Sequence, residues 1–240
     1  MIKQCPLFFA ILLVLSVNQA GADQKDLLDL PLEELMHIEV TSASKKAQLL
    51  SDAPAAIFVI NQEDIKRSGA TSIPDALRLA PGLEVGRIDA NKWAVSARGF
   101  NGRFANKLLV LIDGRSIYTQ AFSGVYWENQ DVMLEDIDRI EVIRGPGAAL
   151  WGANAVNGVI NIMTKHSADT KGGLIAAGGG TQELGFGSLR YGTQLGKNTT
   201  GRIYAKGYER SQFKHLTGEG AHDDWNKIQG GFRIDLLPHP

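Results

Sequence analysis

Residues 140–165 read IEVIRGPGAALWGANAVNGVINIMTK, and this stretch decides the fold of the chain. Its two ends, residues 140–143 and 159–163, are rich in β-branched residues, and the segment between them is rich in glycine, alanine and asparagine. This pattern predicts a strand, a tight loop and a second strand. Pro146 fixes one φ angle between two glycines that tolerate strained angles, so we expect the loop to fold back closely. Arg144 ends the first strand, where a buried charge needs a partner.

The residues before this stretch predict short helices and further strands. A first helix is expected after Asn61, whose side chain can cap it, and ends at Gly69. A second is expected after Ser72, which forms a capping box with Asp75, and stops at Pro81. Strands are predicted over residues 55–60, 93–98 and 107–112. Strands and short helices mixed in this way predict an α+β domain, a small mixed sheet with short helices, over residues 51–165.

After residue 164 the pattern changes to segments of alternating polarity about ten residues long, which is typical of outer-membrane β-barrel strands. We predict strands near residues 173–180, 183–195, 202–213 and 225–236. In the last of these, Ile228 and Phe232 fall on one face, and Lys227 and Arg233 on the other. A lipid face and a watery lumen explain this split, and so does a soluble antiparallel sheet with one buried face. Four strands do not close a barrel, and lipid-exposed strand edges are not tolerated, so the sequence predicts an incomplete barrel, from the N-terminal portion of a longer protein or a truncated product.

The first residues have the layout of a secretory signal peptide. Residues 1–22 carry a lone Lys3, an apolar run over 7–17 and the small residues Ala20, Gly21 and Ala22. Cys5, the single cysteine, lies within this segment, so the mature chain has no thiol chemistry. Lys plus Arg number 25 and Asp plus Glu 26, giving a net charge of -1, so we predict no nucleic-acid partner.

Four motifs occur in one order: DAPA at residues 52–55, RGFN at 98–101, VLIDGR at 110–115, and the stretch at 140–165. Together they resemble the plug domain of TonB-dependent outer-membrane receptors. The resemblance implies a signal peptide at 1–22, an N-terminal extension at 23–50, a plug at 51–165 and the first barrel strands at 173–240. It also implies a location in the outer membrane of a Gram-negative cell.

The resemblance assigns roles to particular residues. The extended run Ile38, Glu39, Val40 and Thr41 is a candidate TonB box, although a plain linker would show the same β propensity. Arginines in the motifs of Arg98 and Arg144 pair, in the family, with glutamates of the barrel wall and lock the plug. The alternative is local pairing, such as Arg144 with Glu141. We predict that both arginines point inward with incomplete partners.

Two connections, residues 88–93 and 118–127, combine aromatic and polar side chains and are candidates for contact with a solute. The candidate ligand-binding residues are Trp93, Arg103, Tyr118, Phe122, Tyr126 and Trp127. The alternative is that the aromatic residues pack the plug against the barrel wall.

Catalysis has little support in the sequence. The five histidines are scattered without metal-ligand spacing, and no catalytic constellation stands out, so we predict no enzyme activity, no metal site and no cofactor. Acidic residues cluster at Glu128, Asp131, Glu135, Asp136 and Asp138, and a solvated face is expected there in preference to a calcium site.

The resemblance implies a receptor that takes up a scarce solute, such as a ferric siderophore, haem or a cobalamin. Its partners would be the TonB complex in the periplasm, the solute outside and the membrane lipid around the barrel. Two other classes stay open. One is a secreted or periplasmic binding module in which the plug works alone, and the other is a surface or structural β protein that does not transport.

Overall fold

The computed structural model describes residues 39–40, 48–49, 56–145, 151–152 and 154–236. The predicted signal peptide, most of the N-terminal extension and the loop at 146–150 lie outside these residues. In chain order the elements are β1 (Glu39–Val40), β2 (Gln48–Leu49), β3 (Ala56–Asn61), α1 (Gln62–Ser68), α2 (Ile73–Leu77), β4 (Leu83–Arg87), β5 (Trp93–Ala97), β6 (Leu108–Ile112), β7 (Arg115–Ser116), β8 (Ile137–Arg144), β9 (Gly158–Thr164), β10 (Gly172–Gly178), β11 (Glu183–Gly196), β12 (Thr199–Arg210) and β13 (Trp225–Leu236).

A five-stranded mixed sheet forms the centre of the first domain, in the order β3-β8-β9-β6-β7. Strands β6 and β9 are parallel, and the other neighbours are antiparallel. Strands β4 and β5 form a separate hairpin, as do β1 and β2. Alternate residues of β6 pack on opposite faces, with Val110 in the larger hydrophobic cluster and Leu109 in the smaller. Both faces of the sheet are therefore covered, which explains why its strands read as continuous apolar runs.

Both helices begin where the capping residues predict, but α2 ends at Leu77, four residues before Pro81, where the sequence predicts its end. Asn61 and Asp64 form a reciprocal capping box at α1, and Gly69 ends this helix with a φ of 68°. Ser72 caps α2, whose apolar residues Ile73 and Leu77 are buried against the sheet. Within the described residues, none of the helices has the length and apolar character needed to cross a membrane.

The four predicted strands of the second half form one antiparallel sheet in the order β10-β11-β12-β13, hereafter the wall sheet. Along β13 the polar residues are half-buried and face the first domain, whereas Ile228 and Phe232 are 91% and 75% exposed. A soluble sheet would bury its apolar face, and here that face points outward. The predicted fold class, an α+β domain followed by antiparallel strands of an unclosed barrel, is confirmed.

Candidate functional site

The first domain is fastened to the wall sheet by buried ion pairs. Asp136, at the end of a 3₁₀ turn before β8, accepts a hydrogen bond from Arg190 of β11. Its second carboxylate oxygen lies 3.2 Å from the Nε of Arg202 of β12. All three side chains are buried, so each charge depends on the others for compensation.

A second cluster lies farther along the same strands. The carboxylate of Asp131 lies 2.6 Å from the Nζ of Lys206 and 3.8 Å from that of Lys227. Lys227 also donates to the backbone carbonyl of Glu128, and Gln229 donates to that of Asp131, both at 2.8 Å. The expectation that the acidic run forms a solvated face is therefore wrong for Asp131 and Asp136, because each meets cations of the wall sheet.

Hydrogen bonds also join the first domain to the wall sheet near the short turn between β11 and β12. Arg233 of β13 donates to Asp113 at 3.2 Å and to the hydroxyl of Thr164 at 2.6 Å. Nearby, the backbone N–H of Ser167 donates to Asp235 at 2.8 Å. The hydroxyls of Ser167 and Thr200 are 2.6 Å apart and buried.

At the opposite end of the strands, the hairpin tip after β4 meets the long connection of residues 211–224. The backbone N–H of Ala90 donates to Asp223 of this connection at 2.8 Å. Arg87 donates at 3.1 Å to Gln182, which lies in the turn between β10 and β11. The Arg87 guanidinium also lies 4.9 Å from the centre of the Phe213 ring. Burial lowers the pKa of Arg87, and the neighbouring Arg210 lowers it further.

Asp89 holds this tip in shape. Its carboxylate accepts the backbone N–H groups of Asn91 at 2.9 Å and Lys92 at 2.7 Å, and the Nζ of Lys92 at 2.5 Å. Burial by itself raises the pKa of Asp89, but these hydrogen bonds outweigh it and leave the pKa below the usual value.

Three of the candidate ligand residues come together in an aromatic cluster. Phe122 packs edge-to-face against both Phe104 and Tyr126, with ring centres 5.0 Å apart in each pair. Arg103 lies over the ring of Tyr126 and makes a two-pronged ion pair with Glu128. Because the charge of Arg103 is already paired with Glu128, this residue is suited to positioning the aromatic rings and not to attracting an anion. Phe104 and Arg103 also line a neighbouring cleft of about 370 Å³.

The other candidates are separated from this cluster. Trp93 and Trp127 are 2% and 5% exposed and belong to the main hydrophobic core, so their assignment as ligand contacts is corrected. The guanidinium groups of Arg78 and Arg87 each lie 5.5 Å from the ring centre of Trp93. Tyr118 is 46% exposed and free to meet solvent.

The two arginines predicted to lock the domain share one cleft of about 290 Å³. Arg98 is exposed there and has a φ of 58°. Arg144 is half-buried, and its Nε has no hydrogen-bond partner among the described residues. Neither arginine makes an ion pair within the described part of the chain. Glu141 does not form an ion pair with Arg144, because residues three apart on a strand face opposite sides. It pairs instead with Arg139 at 3.0 Å.

The candidate TonB box is only partly described. Glu39 and Val40 form β1, and Ile38 and Thr41 lie outside the described residues. The side chain of Val40 is fully buried, and its strand is paired with β2.

Residues 49–159 match the family described as TonB-dependent Receptor Plug Domain. These residues are a TonB-dependent receptor plug domain. The match covers the central sheet with its helices and ends within β9, just before the chain enters the wall sheet.

Curated relatives and solved structures agree with this assignment. The chain is 35% identical over 156 residues to the vitamin B12 transporter BtuB of Vibrio vulnificus, covering 63% of this chain and 25% of the relative. It is 30% identical over 158 residues to BtuB of Vibrio cholerae, covering 66% and 25%. The chain thus spans a quarter of the length of these relatives.

Two solved receptors share the fold. The siderophore receptor PiuA of Acinetobacter baumannii superposes with a TM-score of 0.62 at 24% identity, over 87% of this chain and 28% of that one. The ferric yersiniabactin uptake receptor FyuA of Yersinia pestis gives 0.60 at 20% identity, over 77% and 29%.

Sequence reasoning missed the residues that join the plug domain to the wall sheet. They are Asp131 and Asp136 on the plug domain and Arg190, Arg202, Lys206 and Lys227 on the wall sheet. One signal was available: in β12, Arg202, Lys206 and Arg210 recur at even spacing and therefore share a face. A row of cations on the face opposite the apolar one predicts an acidic partner.

Proposed function

We propose that this chain supplies the plug and part of the barrel wall of an outer-membrane transporter that takes up a scarce solute with energy delivered by TonB. One observation carries the proposal: the wall sheet exposes its apolar residues outward and holds the plug domain with its polar face. A strand that separates lipid from a filled lumen requires this arrangement. The family of the plug domain supports the same reading.

The division of the chain follows from this proposal. Residues 1–22 would direct export and be removed, residues 23–50 would form the periplasmic extension, residues 51–165 the plug, and residues 173–240 strands of the barrel. The mature protein would reside in the outer membrane, with lipid against Ile228 and Phe232.

The solute would bind at the plug end that meets the 211–224 connection. Phe122 and Tyr126 offer aromatic surface there, with Phe104 as a third ring and exposed Tyr118 as a further contact. Arg103 acts as a positioning residue, since its charge is satisfied by Glu128. The solute would be a metal chelate of the siderophore, haem or cobalamin class, and the name of the vitamin B12 transporter BtuB supports the last of these.

Energy would enter at the other end of the plug. Glu39 and Val40 are already extended, which suits the addition of a strand from TonB, but they are paired with β2. Among the described residues β1 is paired on one edge only, so TonB would add its strand along the other edge before it pulls. The plug would then rearrange to let the solute pass, and no covalent step is involved.

Arg98 and Arg144 would hold the plug on its far side. Strand β8 begins at Ile137, next to Asp136 and the wall sheet. Arg144 lies at the other end of the strand, seven residues farther on at about 3.3 Å per residue, and is therefore distant from that contact. Carboxylates of a more distant part of the barrel are the partners that fit this position.

Cysteine cross-linking in cells tests the proposal. Cells express a receptor that carries Glu39→Cys together with a TonB variant that has a cysteine in its periplasmic domain, and a thiol cross-linker is added. The matched control is a receptor with Lys214→Cys in the 211–224 connection. We expect an adduct in the outer-membrane fraction with Glu39→Cys alone, and solute uptake that stops when TonB is deleted. A soluble periplasmic protein without adduct would support an isolated binding module. A membrane-bound assembly indifferent to TonB would support a structural protein.

A further inference from the structure

The polar face of the wall sheet is strongly cationic. Nine charged residues lie on its strands, and Glu209 alone among them is exposed on the outward face. The inward cations are Arg190, Arg202, Lys206, Arg210, Lys227 and Arg233, and the inward acids are Glu183 and Asp235. Six positive and two negative charges leave this face with a net charge of +4.

The plug domain neutralises most of that charge. Asp136 pairs with two of the cations, Asp131 pairs with two others, and Asp113 pairs with Arg233. These three carboxylates offset three of the four net positive charges on that face. The positive charge of the wall sheet is therefore balanced only while the plug domain is packed against it.

Uncovering this face would be costly without replacement anions. Asp136 and Arg202 are almost fully buried, and breaking a buried pair leaves an uncompensated charge. A lumen wall with lipid behind it has low dielectric on one side, which strengthens the field of its unpaired cations. An anion moving along the wall would take the place of the plug carboxylates.

We propose that the wall sheet is an anion-attracting lumen surface, covered at rest by Asp113, Asp131 and Asp136, and that the solute conveyed along it carries net negative charge. The inference rests on the proposed transport function and narrows its solute to an anionic chelate, such as iron held by catecholate or carboxylate groups. A neutral solute such as cyanocobalamin would gain nothing from these cations.

A purely structural role for the ion pairs makes a different prediction. If the cations only seat the plug, they matter while it is closed and have no effect on what passes once it is open. If they select the solute, they affect the open pathway, because charged side chains that line a pore determine which ions pass.

The test measures the ion selectivity of the open receptor. The receptor that carries this chain is inserted in a planar bilayer, urea is added until the plug yields and current appears, and the reversal potential is read in a potassium chloride gradient. Wild type is compared with Lys206→Gln/Lys227→Gln, and Lys214→Gln in the 211–224 connection is the matched control. Ferric tris-catecholate, a trianion, and a neutral ferric tris-hydroxamate are then added as probes.

We expect chloride to be favoured in wild type, and the chloride-to-potassium permeability ratio to fall by about twofold or more in the double variant. The control should match wild type, and the trianion should interrupt the current while the neutral chelate does not. Current with the same selectivity in wild type and the double variant would overturn the inference and leave transport intact. A protein that never conducts would overturn the proposed function and the inference with it.

Discussion

The Nε of Arg202 lies 3.2 Å from a carboxylate oxygen of Asp136, and both side chains are buried between the plug domain and the wall sheet. Arg202 also donates to the backbone carbonyl of Lys165 at 2.7 Å, where the chain leaves the central sheet. One guanidinium thus ties the start of β8 to the end of β9. This contact fixes how the plug domain sits against the strands that follow it.

Replacing Asp136 should weaken the contact between the plug domain and the wall sheet. Asp136→Asn keeps the shape of the side chain but leaves Arg190 and Arg202 without their carboxylate, so we expect the free energy of unfolding to fall by about 3–5 kcal/mol. Urea titration in detergent micelles measures it. Glu135→Gln is the control, since Glu135 makes no ion pair within the described residues. Equal effects of the two substitutions would contradict the account.

The pair of Arg103 and Glu128 should determine the order of the aromatic cluster. Glu128→Gln should weaken the near-ultraviolet circular dichroism of the neighbouring Tyr126, because Arg103 loses the charge that holds it over the ring. Glu128→Asp, which keeps the carboxylate, should preserve most of the signal. Arg67→Gln, on an exposed helical pair, should leave it unchanged. A Glu128→Gln variant with the wild-type signal would show that the pair has no positioning role.

Two glycines of β11 should respond in opposite ways to alanine. A methyl group at Gly192 would collide with the backbone carbonyl of Thr170, whereas one at Gly187 would have no atom of the described residues within 4 Å. We expect Gly192→Ala to lower the free energy of unfolding by about 1–3 kcal/mol. Gly187→Ala should be neutral or slightly stabilising. Thermal or urea unfolding of both variants checks this, and a stable Gly192→Ala would mean that the strand does not pack under residues 167–170.

Acid should loosen the tip that holds Asp89. Because the pKa of Asp89 is lower in the folded state, its carboxylate stabilises the tip above the usual Asp pKa of about 3.9, and the contribution is lost as the pH falls through the folded value. Amide exchange protection of Asn91 and Lys92, corrected for intrinsic rates, should drop in that window. Asp89→Asn should remove the pH dependence, and a wild-type protein with constant protection would contradict the assignment.

Local signals were enough to predict most elements of this fold, although the strands β4 and β7 were not predicted. The caps at Asn61 and Ser72 and the alternation in β13 depend on residues a few positions apart, and the structure has helices and strands at those places. The burial of Asp136 could not be predicted in this way, because Arg190 lies 54 residues farther along the chain. An acidic residue looks solvated until its partner is known.

The burial of Trp127 could not be predicted for a related reason. Trp127 and Tyr126 are neighbours in a loop rich in polar residues, and nothing in the sequence distinguishes the one that enters the core from the one that joins the cluster. Their side chains point in different directions because a 3₁₀ turn begins at Trp127. Backbone direction within an irregular loop depends on packing with distant strands.

The most direct test of the central claim is the environment of successive residues along β13. Nitroxide labels are placed one at a time at the outward positions Ile228, Phe232 and Ile234 and at the inward positions Gln229 and Arg233, in receptor reconstituted in lipid bilayers. We expect collisions with oxygen, which concentrates in lipid, to be frequent at the outward positions and rare at the inward ones, alternating with a period of two. Outward labels that instead collide mainly with a water-soluble nickel chelate would show that this face meets water, and the chain would not form the wall of an outer-membrane transporter.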